Sequence, residues 1–181
     1  VLPIDDRLLE RLDAKLVGRP TVVEGRTKMA LGEGMKGMQT DVFIDLRNTS
    51  YSITATLETG ANGNGVIVAQ GGRFGGLSFY VKNGKPSFTY NFLGLESTTL
   101  ASTQSLKPGK YTVVYDFNYD GGGLGKGGVG TISVNGNKVA EGRINRTQPG
   151  IFSVDDLADV GLDEGTQVAD YGASSKFIGK I

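Results

Sequence analysis

The glycine-rich run around Lys126 is the first place where residue types and spacing suggest chemistry. Backbone N–H groups in such a loop can cradle a phosphate that a lysine also reaches. A Walker A loop, however, has Ser or Thr after its lysine, whereas here Gly127 follows and Asp120 replaces the first glycine. The run therefore predicts either a long hairpin loop, or a loop whose backbone closely approaches a ligand or a neighbouring domain.

A second group of candidate residues stands in other short glycine-containing segments. Arg73 lies between two glycine pairs, so its guanidinium could fork onto a sulfate, a carboxylate or a partner surface, or simply be solvated. Apolar side chains share these segments, at Phe74, Phe92, Leu93 and Leu95. Apolar residues in exposed loops predict a docking surface, and the alternative is that they plug the open end of the fold.

The usual catalytic side chains are missing from the sequence. It contains no histidine and no cysteine, so hydrolytic triads, thiolate nucleophiles and His- or Cys-ligated metal sites are excluded within it. It also lacks the Glu-x-Asp-x-x-Glu spacing of sandwich-fold glycosidases. One acidic stretch could offer oxygens to calcium but has no EF-hand spacing, so we interpret it as a solvated loop: Asp155, Asp156, Asp159, Asp163 and Glu164. We predict no catalytic residue, metal site or cofactor in this chain.

The elements that position these residues are predicted to be strands. From Thr27 onward the apolar residues alternate with period two and turn residues recur at short intervals, which is typical of an all-β sandwich or barrel. We predict an antiparallel β-sandwich, such as a jelly roll. Its strands are Val42 to Leu46, Tyr51 to Glu58, Gly65 to Gln70, Leu77 to Lys82, Ser87 to Phe92, Glu96 to Ser102, Lys110 to Tyr119, Gly130 to Val134, Asn137 to Ile144 and one that begins near Ser175.

Strand alternation also predicts which loops meet. If consecutive strands run up and down, short turns at Asn83, 107–109 and Asn135 fall at one end. The longer segments 71–76, 91–95 and 120–128 then fall at the other end. We predict that this second end contacts a substrate or partner, through Arg73, Phe74, Asn91, Phe92, Asp120 and Lys126.

Composition limits the remaining possibilities. Lys plus Arg and Asp plus Glu number 19 each among 181 residues, so no net field attracts nucleic acid, and no apolar run is long enough to span a membrane. Leu8, Leu9, Leu12 and Leu16 have helical spacing and predict a short N-terminal helix. We expect residues 21–181 to form a single sandwich domain after this helix.

Several long strings resemble the C-terminal region of bacterial arylsulfatases, and the likeness covers nearly the whole chain. They are VLPIDDR, GVIVAQGGRFGGLSFYVKNGKP, YNFLGLE and YDGGGLGKGGVGTISVNGNKVAEGRI. In that family a preceding α/β domain carries a formylglycine, made from a Cys/Ser-x-Pro-x-Arg motif, and a calcium ion. Neither the motif nor any histidine is present here, so no catalytic residue can be transferred.

The resemblance implies a non-catalytic accessory sandwich, similar to concanavalin-type or laminin-G-like folds, that packs on a catalytic domain outside this chain. Residues 1–20 would be the connector from that domain. Arg73, Asn91 and Lys126 would then edge a sulfate-ester cleft, and a sulfated substrate or glycan is an expected ligand. A periplasmic or secreted bacterial location would fit. Two alternatives stay open, a free-standing carbohydrate-binding module and a structural or oligomerisation domain.

Overall fold

The chain folds into strands throughout the part that the structure describes. The computed structural model describes residues 16, 18, 22–40, 42–61, 63–152 and 157–181, and these residues contain ten strands and no helix. The first five strands are β1 (Tyr51–Thr59), β2 (Gly65–Gly72), β3 (Gly75–Lys82), β4 (Lys85–Phe92) and β5 (Glu96–Ala101). The others are β6 (Gly109–Tyr119), β7 (Lys126–Val134), β8 (Asn137–Arg146), β9 (Ala158–Val160) and β10 (Gly179–Lys180).

Two five-stranded antiparallel sheets share these strands. Sheet I has the order β10-β1-β6-β7-β8, and sheet II has the order β5-β4-β3-β2-β9. Alternate residues of each strand point into the space between the sheets, as period-two sequences require. The predicted all-β antiparallel sandwich is therefore confirmed.

The sheets meet through an aromatic and aliphatic core. The ring of Tyr115 on β6 stacks on the ring of Phe88 on β4, with centroids 3.5 Å apart and planes 7° from parallel. Both side chains are fully buried. This contact joins the central strand of sheet I to sheet II.

Along one side of the sandwich, two glycines let an edge strand approach the other sheet. The side chain of Leu100 on β5 is buried against β7 and β8, where a Cβ added at Gly130 or Gly142 would lie 3.1 Å from it. The side chain of Glu96 adds hydrogen bonds across the same junction, from Asn145 at 3.2 Å and Arg146 at 3.1 Å. The edges β5 and β8 thus close against each other.

Most predicted strands are confirmed, but the segment Val42 to Leu46 is not a strand. The N–H groups of Val42 and Phe43 both donate to the carbonyl of Gln39, which makes a turn, and Phe43 is buried in the core. The apolar residues of this segment thus serve to bury one side chain, that of Phe43, and do not form a strand. Strand β9 was not predicted, and the final strand is β10 at 179–180 rather than one from Ser175.

The prediction for the N-terminus lies almost wholly outside the described residues. Of residues 1–20 the structure describes Leu16 and Gly18, so the helix and the connector stay predictions. No described segment forms a helix with the length and apolarity that membrane crossing would need.

Buried tyrosines make the stability of the fold depend on pH in the alkaline range. Loss of solvation raises the pKa of Tyr90 to about 12, and burial likewise raises the pKa of Tyr51, Tyr115 and Tyr171. A tyrosine of the unfolded chain loses its proton near pH 10. Since the native state holds these protons to higher pH, its stability is complete below about pH 10 and falls as the pH rises above it.

We expect Tyr115→Phe to reduce this alkaline loss, because the variant has one fewer buried hydroxyl to deprotonate on unfolding. Between pH 7 and pH 11 its free energy of unfolding should fall by about 1.4 kcal/mol less than that of the original chain. At pH 7 the variant should lose less than about 1.5 kcal/mol, since the hydroxyl that it lacks has at best a weak contact with the Tyr51 hydroxyl. Urea unfolding at both pH values measures this, and equal losses in the two proteins would contradict it.

Candidate functional site

Three hairpin connections lie together at one end of the sandwich, as strand alternation predicted. They are residues 73–74 between β2 and β3, 93–95 between β4 and β5, and 120–125 between β6 and β7, and we call them the loop end. They are shorter than predicted, because Gly71-Gly72, Gly75-Gly76 and residues 126–128 belong to strands. The predicted gathering of the loops at one end is confirmed.

A buried asparagine holds the first two loops together. The side-chain amide of Asn91 donates to the carbonyl oxygens of Arg73 at 2.9 Å and Gly72 at 3.2 Å. Its side-chain oxygen accepts from the N–H of Gly94 at 2.9 Å. Because Asn91 is buried, these bonds are shielded from competing water, and they fix one loop relative to the other.

The third loop is held by its own set of polar contacts. The Tyr119 hydroxyl donates to the Gly123 carbonyl at 2.7 Å and accepts from the Lys126 N–H at 2.8 Å. The side-chain oxygen of Asn48 accepts from Gly125 N–H at 2.8 Å. The loop backbone is thus fixed although its surface faces solvent.

The segment that follows β8 connects this third loop to sheet II. Thr147 donates through its hydroxyl to the Lys126 carbonyl at 2.7 Å. The next residue, Gln148, donates its N–H to the Tyr90 hydroxyl of β4 at 2.7 Å. The loop end is therefore one connected surface.

On these fixed loops the apolar side chains face solvent. Phe74 is 67% exposed, Leu95 76% and Leu124 72%. The plugging alternative is therefore wrong for Phe74 and Leu95, since a plug would be buried. Large exposed apolar groups that share one surface usually mark an interaction site.

Leu93 adds backbone strain at the same place. Its φ is +56°, a left-handed conformation that costs a residue such as leucine about 1–2 kcal/mol. Strain of this kind concentrates at functional sites, where the surrounding structure imposes it. Leu93 is 38% exposed, so it presents part of its side chain beside Leu95.

The six predicted contact residues separate into two groups. Arg73 and Phe74 form an exposed two-residue turn, and Lys126 is exposed at the start of β7; neither cation has an ion-pair partner among the described residues. The other three are engaged within the fold. Asn91 is buried as described, the guanidinium of Arg146 lies 4.3 Å from the ring centroid of Phe92, and Asp120 accepts a hydrogen bond from Arg143 at 2.8 Å.

The exposed ion pair changes the charge that the third loop presents. Arg143 bridges both carboxylate oxygens of Asp120 and holds the pKa of that carboxyl below its usual range. Asp120 therefore stays ionised, and the positive charge of Arg143 neutralises its negative charge. The cations left at the loop end without an anionic partner among the described residues are Arg73 and Lys126.

Sequence reasoning missed two features of the molecule. Leu124 was not singled out at the loop end, although a lone leucine among glycines is a usable signal. The other is a groove on the outer face of sheet II, which includes Ser87, Thr89 and Thr99. Its signal is the alternation of hydroxyl residues with core residues along β4 and β5.

The acidic stretch is not the solvated loop that was predicted. Asp159 and Asp163 are buried and accept backbone N–H bonds, Asp159 from Gly37 at 2.8 Å and Asp163 from Val168 at 3.0 Å. Glu164 is exposed and pairs with Lys36, whereas Asp155 and Asp156 lie outside the described residues. In the described part of the chain no three acidic side chains gather as a metal site would require. Asp159, which lies in β9, instead holds the backbone at Gly37, and Asp163 holds the backbone at Val168.

Comparison with known proteins defines the class of fold. Domains LG4-5 of the mouse laminin alpha1 chain superpose with a TM-score of 0.54 and 16% identity, over 78% of this chain and 35% of that chain. A native heptameric SAP-like pentraxin from Limulus polyphemus gives a TM-score of 0.47 and 13% identity, over 74% of this chain and 60% of that one. The laminin superposition shows that the protein has a laminin-G-like β-sandwich fold, and the chain spans about a third of the laminin structure.

These likenesses show the fold alone. No protein-family model and no curated protein matches the chain. The resemblance to arylsulfatases gains no support from the comparisons and stays a prediction.

The strain at Leu93 can be measured by comparing substitutions at the same position. Asparagine tolerates positive φ better than alanine, so Leu93→Asn should be about 1 kcal/mol more stable than Leu93→Ala. At Leu95, which does not have positive φ, Asn and Ala should differ by less than about 0.5 kcal/mol. Urea unfolding of the four variants tests this, and equal Asn–Ala differences at both positions would show that Leu93 is unstrained.

Proposed function

We propose that this chain is a non-catalytic binding domain that docks through its loop end onto a neighbouring protein domain. The observation that carries the proposal is the exposure of Phe74, Leu95 and Leu124 on loops whose backbones are fixed. Burying apolar side chains of this size stabilises a complex by about 1.5–3 kcal/mol each. Because the loops are already ordered, little conformational entropy is lost when they bind.

The charges of the loop end fit an interface as well. Arg73 and Lys126 supply cations that have no anionic partner among the described residues, so an interface that borders a cleft for an anionic substrate would complement them. The absence of histidine and cysteine from the sequence supports a binding role over catalysis.

As the partner we propose the catalytic domain of an arylsulfatase. The support is the position of the strings that carry the resemblance. The string GVIVAQGGRFGGLSFYVKNGKP contains loop 73–74, YNFLGLE contains loop 93–95, and the YDGGGLGKGG string contains loop 120–125. All three loops of the loop end therefore fall within segments that resemble the family.

The docking proposal predicts that Phe74→Ser/Leu95→Ser weakens association of this chain with the rest of its parent protein. In trans, the dissociation constant measured by calorimetry should rise about 100-fold, since two apolar side chains no longer contribute. The matched control is Val22→Ser/Ile178→Ser, which replaces apolar residues that are 60% and 56% exposed elsewhere. Equal affinities of the two double variants would contradict the proposal, and self-association in sedimentation analysis would favour the oligomerisation domain instead.

The sulfatase parentage makes a separate prediction. The parent should carry a Cys/Ser-x-Pro-x-Arg motif and hydrolyse an aryl sulfate ester, while the purified chain alone should be inert. In the parent, Arg73→Ala/Lys126→Ala should raise KM for an anionic sulfate ester several-fold and leave kcat nearly unchanged, because these cations would attract and not react. Hydrolysis by the isolated chain, or a parent without the motif, would refute the parentage but leave the docking proposal standing.

A further inference from the structure

The outer face of sheet II has a groove that the docking function does not use. Its volume is about 500 Å³, within the usual range of small-ligand sites. Strands β3, β4 and β5 form its floor, and Ala169 and Asp170 form one wall. Apart from Lys85, the side chains of β4 and β5 that face it are small, which makes the surface concave: Ser87, Thr89, Ser97, Thr99 and Ala101.

A row of hydroxyl groups crosses the floor of the groove. The Tyr80 hydroxyl lies 3.0 Å from the Thr89 hydroxyl, which lies 2.8 Å from the hydroxyl of Thr99. Thr89 and Thr99 are direct cross-strand partners, and Thr89 is 1% exposed while Thr99 is exposed. Hydroxyls can both donate and accept hydrogen bonds. A row of them that reaches solvent at Thr99 therefore suits a ligand rich in hydroxyls.

Two lysines stand directly opposite each other at one end of the groove. Lys82 on β3 is the cross-strand partner of Lys85 on β4, and both line the groove. Like charges in such a pair are destabilising. Asp170 compensates Lys82, with 2.9 Å between Nζ and Oδ2, whereas Lys85 has no ion-pair partner among the described residues. An anion bound at Lys85 would remove the remaining repulsion.

The wall that compensates Lys82 is itself fixed. Tyr171, the neighbour of Asp170, is buried, and its ring meets the Tyr80 ring edge-on with centroids 5.1 Å apart. The Tyr171 carbonyl accepts a hydrogen bond from the side chain of Asn64 at 3.1 Å, and its hydroxyl donates to Asp163. The groove is therefore formed before any ligand arrives.

The aromatic content of the groove limits how a ligand is held. Tyr80 is the aromatic residue in the lining, it is almost completely buried, and the sequence has no tryptophan. Stacking of a ligand on an aromatic ring therefore contributes little to its binding free energy. Selectivity comes from the hydroxyl row and from the charge of Lys85.

We infer that this groove binds an acidic saccharide, with its hydroxyls on Thr99, where the hydroxyl row reaches solvent, and its sulfate or carboxylate on Lys85. The inference is independent of the docking function, because the groove and the loop end use different residues. It also assigns carbohydrate binding to a sheet face and not to the aromatic loops.

Calorimetry on the purified chain tests this with four probes: a chondroitin sulfate tetrasaccharide, a hyaluronan tetrasaccharide, chitotetraose and inorganic sulfate. We expect at least one of the two acidic tetrasaccharides to bind at least fivefold more tightly than chitotetraose and inorganic sulfate. Preference for chondroitin sulfate would identify the anionic group as sulfate, and equal affinity would identify it as carboxylate. No binding of either acidic probe, or binding of inorganic sulfate as tight as theirs, would overturn the inference.

Variants locate the site. Lys85→Gln should weaken binding of the acidic tetrasaccharide about tenfold and Thr99→Val about fivefold. The matched controls Lys107→Gln and Thr112→Val change exposed residues outside the groove and should leave the dissociation constant within twofold. The loop-end variant Phe74→Ser/Leu95→Ser should also bind normally, which separates this inference from the docking function. If Lys85→Gln and Thr99→Val both bind like the controls, the saccharide site is not in this groove.

Discussion

The packing of sheet I on sheet II around the stacked rings of Tyr115 and Phe88 is the constraint on which the other features depend. Once Phe88 and Leu100 point into the sandwich, strand alternation places Thr89 and Thr99 on the outside. The hydroxyl row of the groove is thus a geometric consequence of the core. The same contact fixes the relative position of the sheets, so that hairpin loops from both of them form a single end.

The sequence predicts the features that follow from the alternation of inward and outward side chains along a strand. It does not predict the features that depend on contacts between distant parts of the chain. Strands such as β4 and β6 are evident because every second side chain is apolar, and the gathering of the loops follows from their order. Val42 to Leu46 has the same composition but forms a turn, because burying Phe43 as a plug satisfies its apolar character without a ladder. For Asp159 the composition indicates solvent exposure, whereas two backbone N–H groups, a distant one from Gly37 and a nearby one from Glu164, allow its burial.

Residue type alone also could not predict which of the six candidate residues at the loop end are exposed and which are engaged within the fold. Asn91 and Arg73 are both polar residues beside glycine turns, yet Asn91 is buried and forms hydrogen bonds to both loops and to the end of β2, while Arg73 projects from a two-residue turn. The difference comes from the alternation of side chains along the strand. Asn91 occupies the last position of β4 whose side chain points outward, and it lies beneath both turns. Its role is to position the loops, and contact with a partner belongs to the side chains that those loops expose.

The groove and the loop end are continuous along β4 and β5. Thr89 and Asn91 point to the same face of sheet II, and their cross-strand partners Thr99 and Ser97 do as well. From Lys85 to Asn91 the strand spans about 20 Å at 3.3 Å per residue. A ligand that lies along this face from Lys85 therefore extends toward the loops that Asn91 holds in place. A partner domain docked on the loop end would then stand at the far end of the groove, so one rigid sheet could hold a saccharide in a fixed direction relative to that domain.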